Sequence, residues 1–244
     1  MRVSDDPVFK EILDRLRWGQ CNDDDLDILN DLRTTKFPDE IIPTRLFSKN
    51  KDVDTLNNIE LGKLINESNP GIIYEVRYPN HQLKRKASSS YVTSQKILDS
   101  IKLCVGAQVI VTRNIDPEIG IVNGTRGTIM KLDQEFIQIK LLDGNYYTLM
   151  FFTVKADIFN DLDSNIDFKY IPLKLAWGVS IHSSQGMTID ALEIDLGASI
   201  FTEGQAYTGL SRARSMKSIK ITRLLRSSFK TNKDVIEFYK RVKN

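Results

Sequence analysis

Apolar residues recur with helical spacing at the start of the chain and predict helices there. Asp5-Asp6-Pro7 can cap and open the first run, and Gly19 follows it. Its apolar positions share one helical face: Val8, Phe9, Ile12, Leu13 and Leu16. A second short helix is predicted around Leu29. Residues 41–47 then predict a strand and residues 53–64 a helix, which is the strand-helix unit of an α/β layer.

The middle of the chain has the period of strands instead. Alternating segments occupy residues 108–113, 127–132, 136–142 and 146–151. The pairs Asn123-Gly124 and Asp143-Gly144 favour tight turns, because glycine accepts the positive φ that such turns require. Four short strands with turns at this spacing predict a small antiparallel β-barrel inserted in the α/β domain.

Helix and strand patterns alternate again after residue 171. Leu173, Trp177 and Ile181 have helical spacing, and residues 191–196 predict a strand. A helix at 204–213, a strand at 218–223 and a closing helix at 229–242 follow. Residues 81–90 are polar and serine-rich and predict a loop. We therefore expect an α/β fold with a parallel sheet flanked by helices in residues 1–105 and 171–244, and the inserted barrel in residues 106–170.

Composition narrows the class of protein. The 244 residues are 41% hydrophobic and carry a net charge of +2, and no apolar run approaches the roughly 20 residues of a membrane helix. The N-terminus has no signal-peptide pattern, so we expect an intracellular protein with no membrane partner. Two cysteines and two histidines are too few to predict a metal site or a disulfide framework. Basic residues concentrate after residue 211, which suits either phosphate contacts or an ordinary solvated surface.

Two stretches contain the candidate chemistry. In residues 172–196, hydroxyl, imidazole and amide side chains crowd one predicted helix end, which suits contacts to phosphate or sugar. In residues 204–215, a run of small residues precedes Ser211-Arg212-Ala213-Arg214, and an arginine fork matches phosphate oxygens. Taken singly, the first stretch could be a self-capped polar helix end and the second a surface ion pair.

Order and spacing of these motifs resemble a known family. The runs at 106–109, 113–114, 123–127, 172–190 and 204–214 are similar to the latter half of PIF-type (petite integration frequency) DNA helicases of superfamily one, class B. Residues 44–47 with Val53 and Asn57 look like the fourth helicase motif of that family. The resemblance implies a second RecA-like domain with a Src-homology-3-like inserted barrel, and ATP-driven 5′ to 3′ movement along single-stranded DNA.

The resemblance also implies roles for individual residues. Arg212 would be the catalytic arginine finger in the sixth motif, and Arg45 a second sensor of the γ-phosphate. Gln185 and Gly186 of the fifth motif would contribute to nucleotide binding. DNA contacts would come from Ser180, His182, Ser183, Ser184 and Arg126. The implied cofactors are ATP and Mg²⁺, and the implied partners are single-stranded DNA and an N-terminal RecA-like domain.

The sequence departs from the family pattern at two positions and lacks one motif. His182-Ser183 stands where the family has His-Lys, and Gly209 where it prefers alanine. No Gly-x-x-x-x-Gly-Lys-Ser/Thr phosphate loop is present, and Asp39-Glu40 is a poor magnesium-binding pair. We therefore expect magnesium to be held by the N-terminal half and this chain alone to be inactive. The alternatives are a non-enzymatic module that binds single-stranded nucleic acid and a protein-interaction domain.

Overall fold

The computed structural model describes residues 6–38, 42–78, 98–157 and 165–232, together with Asp234, Ile236, Glu237 and Arg241. Within these residues, no helix has the length and apolar character needed to cross a membrane. The chain divides into two compact units. We call Met1–Asn58, Asn123–Thr125 and Ala176–Asn244 the parallel-sheet unit, and Ile59–Val122 and Arg126–Leu175 the antiparallel unit.

A four-stranded parallel sheet forms the centre of the parallel-sheet unit. Its strands are β1 (Thr44–Phe47), β11 (Gly178–Ser180), β12 (Leu192–Leu196) and β13 (Ile219–Leu224), in the spatial order β11-β1-β12-β13. Every adjacent pair is parallel. One face of the sheet buries Leu46, Ile194 and Ile221, whereas intervening positions such as Arg45 and Glu193 are exposed or half-buried. Apolar and polar residues therefore alternate with the period of two that a strand imposes.

The α-helices whose full bounds are described are α1 (Pro7–Arg17), α2 (Asp23–Asp31), α3 (Asn50–Leu64), whose last residues belong to the antiparallel unit, and α4 (Gln205–Leu210). Asp6 caps α1, since its side chain accepts a hydrogen bond from the Phe9 backbone N–H at 3.1 Å. The same carboxylate also accepts from the Met216 backbone N–H at 2.9 Å. Four of the five positions on the predicted helical face of α1 are buried, Phe9, Ile12, Leu13 and Leu16, whereas Val8 is exposed.

The described residues of the antiparallel unit form a five-stranded sheet and two two-stranded antiparallel sheets. The five-stranded sheet has the order β10-β4-β5-β6-β7. Its strands are β4 (Gln108–Val111), β5 (Arg126–Leu132), β6 (Phe136–Leu141), β7 (Tyr146–Met150) and β10 (Leu173–Leu175). The two smaller sheets pair β2 (Ile72–Glu75) with β3 (Ser100–Leu103), and β8 (Phe152–Asp157) with β9 (Asn165–Tyr170).

Tyr74 links the β2–β3 pair to the five-stranded sheet within this unit. Its hydroxyl donates a hydrogen bond of 2.6 Å to the Asp133 carbonyl oxygen, in the turn between β5 and β6. Burial raises the pKa of Tyr74 to about 12, with a further contribution from the Asp133 charge. The hydroxyl therefore stays protonated and remains a donor at physiological pH.

The compact units have different bounds from the predicted domains, which stay a prediction. The antiparallel unit begins at Ile59, whereas the predicted insertion begins at residue 106, because β2 and β3 pair with each other and Tyr74 on β2 bonds to Asp133. The unit ends at Leu175, five residues after the predicted end at residue 170. In addition, Asn123–Thr125 belongs to the parallel-sheet unit although it stands between strands of the antiparallel unit.

The local predictions were correct for α1, α2, α3, α4 and the strands around the Asp143-Gly144 turn, within a few residues at the ends. The predicted helix through Leu173, Trp177 and Ile181 was wrong. That segment forms β10 and β11, because a short apolar run fits either period and tertiary pairing decided between them. The predicted loop at 81–90 lies outside the described residues. In the predicted helix at 229–242, residues 229–232 are not helical, whereas Asp234, Ile236, Glu237 and Arg241 are, and the other six residues lie outside the described ones.

Candidate functional site

The segment after β11 forms consecutive turns rather than the predicted helix end. Backbone hydrogen bonds from Ser184 N–H to Ser180 O (2.9 Å) and from Met187 N–H to Ser184 O (2.9 Å) close these turns. Ser180 Oγ accepts the Ser183 backbone N–H at 3.2 Å and also bonds to Ser183 Oγ at 2.9 Å. Ser180 thus acts as a local cap that fixes the first turn.

Ser180 and Ser184 are buried and stabilise the local fold of this segment. Ser184 is fully buried, and its hydroxyl donates to the Ile181 carbonyl oxygen at 2.8 Å. Ser180 is 3% exposed. Both hydroxyls are engaged within the segment, and the predicted DNA contacts of Ser180 and Ser184 stay predictions.

Four neighbouring residues of the segment are at least partly accessible at the surface. His182, Gln185 and Gly186 are exposed and Ser183 is half-buried. The turn therefore offers an imidazole, a hydroxyl and an amide on one short stretch of backbone, which suits contacts to a phosphodiester or a nucleotide. Their assigned roles, nucleotide binding for Gln185 and Gly186 and DNA binding for His182 and Ser183, remain predictions.

The Asn123–Thr125 turn packs directly against the end of this segment. Gly124 has φ of +103°, and a Cβ there would lie 2.9 Å from the Thr188 backbone N and 3.1 Å from Met187 Cβ. Only glycine satisfies both the positive φ and this close approach. The sequence indicated a tight turn at Asn123-Gly124, but nothing in it showed that the turn supports the fifth-motif segment.

Arg212 lies in the turn immediately after α4. Its Nε donates to the Thr208 carbonyl oxygen at 2.9 Å, and its Nη2 donates to Ser211 Oγ at 2.6 Å. These bonds hold the guanidinium against the end of the helix. The Arg212 carbonyl oxygen accepts from the Ile189 backbone N–H at 2.9 Å, and Ile189 forms a parallel bridge with Ala213. The structure thus joins the two motif segments side by side.

Arg214, two residues further on, has a different environment. Its side chain is 68% exposed, and its Nε lies 2.8 Å from Asp190 Oδ1. An exposed ion pair of this kind typically contributes less than about 1 kcal/mol. The two arginines of one short motif are therefore distinguished by their surroundings.

Arg45 occurs in a row of charges across three strands. Its Nε lies 2.8 Å from Glu193 Oε1, and Lys220 Nζ lies 3.8 Å from Glu193 Oε2. The strand register places these residues opposite one another on β1, β12 and β13. One carboxylate, 13% exposed, is thus shared between two cations and orients Arg45.

Glu193 was not among the residues that the sequence predicted for the site. The available signal was the alternation in β12, where Glu193 and Asp195 separate the buried residues Leu192, Ile194 and Leu196. Acidic residues at alternate positions of a buried strand indicate one charged face. This charged face of β12 contains the carboxylate that pairs with Arg45.

Arg126 does not lie on the surface. It is only 3% exposed at the start of β5. Its burial does not favour the predicted contact of its side chain with DNA, which stays a prediction.

Among the residues that the structure describes, no three His, Cys, Asp or Glu side chains cluster closely enough to hold a metal ion. The residues that fit a nucleotide are instead cationic or amide-bearing: Arg212, Arg45 and Gln185. This donor set matches phosphate oxygens rather than a metal cation.

The parallel sheet, its helices and the antiparallel unit define the chain as a mixed α/β protein. The family model described as "DNA helicase Pif1, 2B domain" matches residues 96–132. The ATP-dependent DNA helicase PIF1 of Danio rerio is 31% identical over 253 aligned residues, covering 100% of this chain and 37% of that protein. Taken with the structural matches below, these findings show that the chain corresponds to the C-terminal part of Pif1-type DNA helicases.

Two solved structures support the same assignment. The crystal structure of Pif1 helicase from Candida albicans is 27% identical with a TM-score of 0.70, and the match covers 99% of this chain and 59% of that one. Pif1 from Bacteroides sp in complex with ADP-AlF4 is 25% identical with a TM-score of 0.76, covering 98% and 54%. The chain therefore spans between about a third and three fifths of the proteins it matches.

Proposed function

We propose that this chain is the C-terminal motor part of an ATP-dependent 5′ to 3′ DNA helicase. In this proposal it binds single-stranded DNA and supplies Arg212 as the arginine finger for ATP hydrolysis. The names of the relatives, which are ATP-dependent DNA helicases, support the activity. The antiparallel unit is then the Src-homology-3-like insertion of this class of helicase.

The observation that carries the proposal is the junction between the two motif segments. The Ile189 to Arg212 hydrogen bond couples the exposed turn at His182 and Ser183 to the arginine of the second motif. In this proposal, a displacement of the turn by DNA reaches Arg212 through this backbone contact and so links DNA binding to ATP hydrolysis.

The chemistry assigned to Arg212 is electrostatic. ATP with Mg²⁺ supplies the phosphoryl group that is transferred, and the magnesium ligands lie in a further RecA-like domain outside this chain. Arg212 neutralises the charge that develops on the γ-phosphate oxygens, and its planar fork can bond two of them at once. Arg45, oriented by Glu193, acts as the second sensor, and Gln185 and Gly186 lie beside the nucleotide.

His182 and Ser183 are proposed to contact the DNA backbone. Both come from the exposed turn, and neither recognises a base edge in this role. The chain is therefore expected to bind single strands with little sequence preference. Ser183 has no positive charge where the family has lysine, so each bound nucleotide is held by fewer ionic contacts.

The chain alone provides the experiment that tests this division of labour. Purified chain should hydrolyse ATP no faster than buffer, because it has no phosphate loop, yet it should bind labelled oligonucleotides in a fluorescence anisotropy titration. Changing His182 and Ser183 together to alanine should weaken binding roughly tenfold, which is about 1.4 kcal/mol.

Ser199→Ala is the matched control, because Ser199 is an exposed serine elsewhere in the same unit. Its affinity for DNA should equal that of the unchanged chain. DNA-stimulated ATP turnover by the chain alone, or equal affinities for the double variant and the unchanged chain, would contradict the proposed assignment of roles.

A further inference from the structure

The outer face of strands β5, β6 and β7 is a surface that the proposed function does not use. Strand register aligns its side chains in rows. Lys140 on β6 lies opposite Tyr146 on β7, and Gln138 lies opposite both Lys131 on β5 and Thr148 on β7. Lys131, Lys140, Tyr146 and Thr148 are all exposed. Alternate positions on a strand are about 6.8 Å apart, so the positions on β6 and β7 are evenly spaced, whereas a register shift between Ile129 and Lys131 interrupts the spacing on β5.

The charge of this face has one sign. Strands β5, β6 and β7 contain no aspartate or glutamate, whereas Lys131 and Lys140 both stand on the exposed side. The acidic residues of the region lie in the connecting turns and are engaged there. Glu135 pairs with Arg77 at 2.9 Å, and Asp143 accepts hydrogen bonds from Asn145.

Aromatic rings accompany the lysines. Tyr146 is 56% exposed, although a ring of that size is normally buried more completely. Lys131 Nζ lies 5.5 Å from the centroid of the Phe136 ring, which is half-buried on the neighbouring strand. Met150, at the far end of β7, is 67% exposed. The face therefore carries aromatic and other apolar side chains beside its lysines.

We propose that this face of the antiparallel unit is a second binding surface for single-stranded nucleic acid. Lys131 and Lys140 contact phosphates, and Tyr146 provides a platform on which a base stacks. Exposed aromatics beside lysines, on a sheet without carboxylates, are the combination that binds single strands without reading sequence. An acidic protein surface would satisfy the lysines but would gain nothing from the exposed ring of Tyr146.

This inference rests on the proposed DNA binding and extends it to a separate surface, so its test uses residues that the first site does not contain. Anisotropy titrations of the chain with a labelled oligonucleotide are carried out at several salt concentrations. Changing Lys131 and Lys140 together to alanine should reduce the slope of log affinity against log salt by about 1.4, since each phosphate contact contributes about 0.7.

Tyr146 is tested with a matched pair of variants. Tyr146→Ala should weaken binding about tenfold at every salt concentration, because stacking is worth roughly 1 to 3 kcal/mol per base. Tyr146→Phe keeps the ring and should bind within about twofold of the unchanged chain. A photoreactive oligonucleotide should also crosslink to Tyr146, which a purely structural role for the ring does not predict.

The charge control changes Lys102 and Lys169, two exposed lysines on other strands of the same unit, to alanine. This control should leave the salt slope unchanged. If the Lys131 and Lys140 variant keeps the slope of the unchanged chain, the inference is overturned while the proposed DNA binding stands, and the face is then free to dock a protein. A chain without measurable DNA binding would contradict both.

Discussion

At the scale of single residues, Asn57 shows how a side chain completes a sheet. Strand β11 is an edge strand, and its Gly178 would otherwise leave a backbone donor and acceptor unpaired. The Asn57 amide donates to the Gly178 carbonyl oxygen at 3.0 Å and accepts from its N–H at 2.9 Å. All of these atoms are buried, so the amide replaces the missing neighbouring strand.

Asn57→Ala should therefore be costly. It leaves two buried backbone groups without partners, and each such group costs about 1 to 3 kcal/mol. We expect the free energy of unfolding to fall by roughly 2 to 4 kcal/mol in a urea denaturation experiment. Asn58→Ala is the matched control on the same helix, because Asn58 is exposed. Equal midpoints for the two variants would show that the amide does not stabilise the edge.

The same scale shows what sequence can and cannot provide. Asn57 was noticed only as part of a motif resemblance, and its role depends on a strand 121 residues away in the chain. Only the family resemblance separated Arg212 from Arg214 in the sequence, whereas in the structure Arg212 is bonded to the end of α4 and Arg214 to Asp190. Such differences arise from tertiary contacts that no local pattern contains.

At the scale of elements, the packing of α4 on β12 explains a departure from the family pattern. A Cβ on Gly209 would lie 2.5 Å from Ile194 Cδ1, which is closer than atoms tolerate. Ile194 is 1% exposed and has little room to move. The glycine therefore allows the helix that precedes Arg212 to approach the sheet.

Gly209→Ala is expected to change the free energy of unfolding in the direction opposite to that of most glycine-to-alanine substitutions in helices. Glycine to alanine in an open helix gains up to about 1 kcal/mol. Gly209→Ala should instead lower the free energy of unfolding by about 1 kcal/mol or more, because the added methyl group overpacks the core. Thermal and urea unfolding would measure the difference.

Ile194→Val is the compensating change, since it removes the atom that the new methyl group meets. In that background Gly209→Ala should become neutral or stabilising, so the two changes should be coupled by about 1 kcal/mol or more. Strict additivity of the single effects would contradict the packing account.

Elements with strong local signals were predicted correctly. Helix α1 has a cap, a proline and one apolar face, and the β6 to β7 hairpin has an Asp-Gly turn. Strands β10 and β11 were mistaken for a helix, and β2 and β3 were missed. Their pairing partners are distant in sequence, and their short apolar runs carry no period that separates a strand from a helix.

At the scale of the whole molecule, the chain combines two units with different proposed tasks. The parallel-sheet unit contains the proposed nucleotide sensors and the exposed fifth-motif turn, and the antiparallel unit contains the lysine and tyrosine face. The family assignment came from the order of motifs along the sequence. The boundary at Ile59 could not be predicted, because it falls within the continuous helix α3.

The proposed function depends most directly on Arg212, and one measurement tests that role. DNA-stimulated ATP hydrolysis is measured in the complete protein that contains both motor domains, with Arg212→Ala beside Arg214→Ala. Removing an arginine finger costs about 10³ to 10⁵ in turnover. We expect that loss for Arg212→Ala with single-stranded DNA binding near normal, little recovery in Arg212→Lys, and near-normal turnover in Arg214→Ala. Normal hydrolysis by Arg212→Ala, or a larger defect in Arg214→Ala, would contradict the central claim.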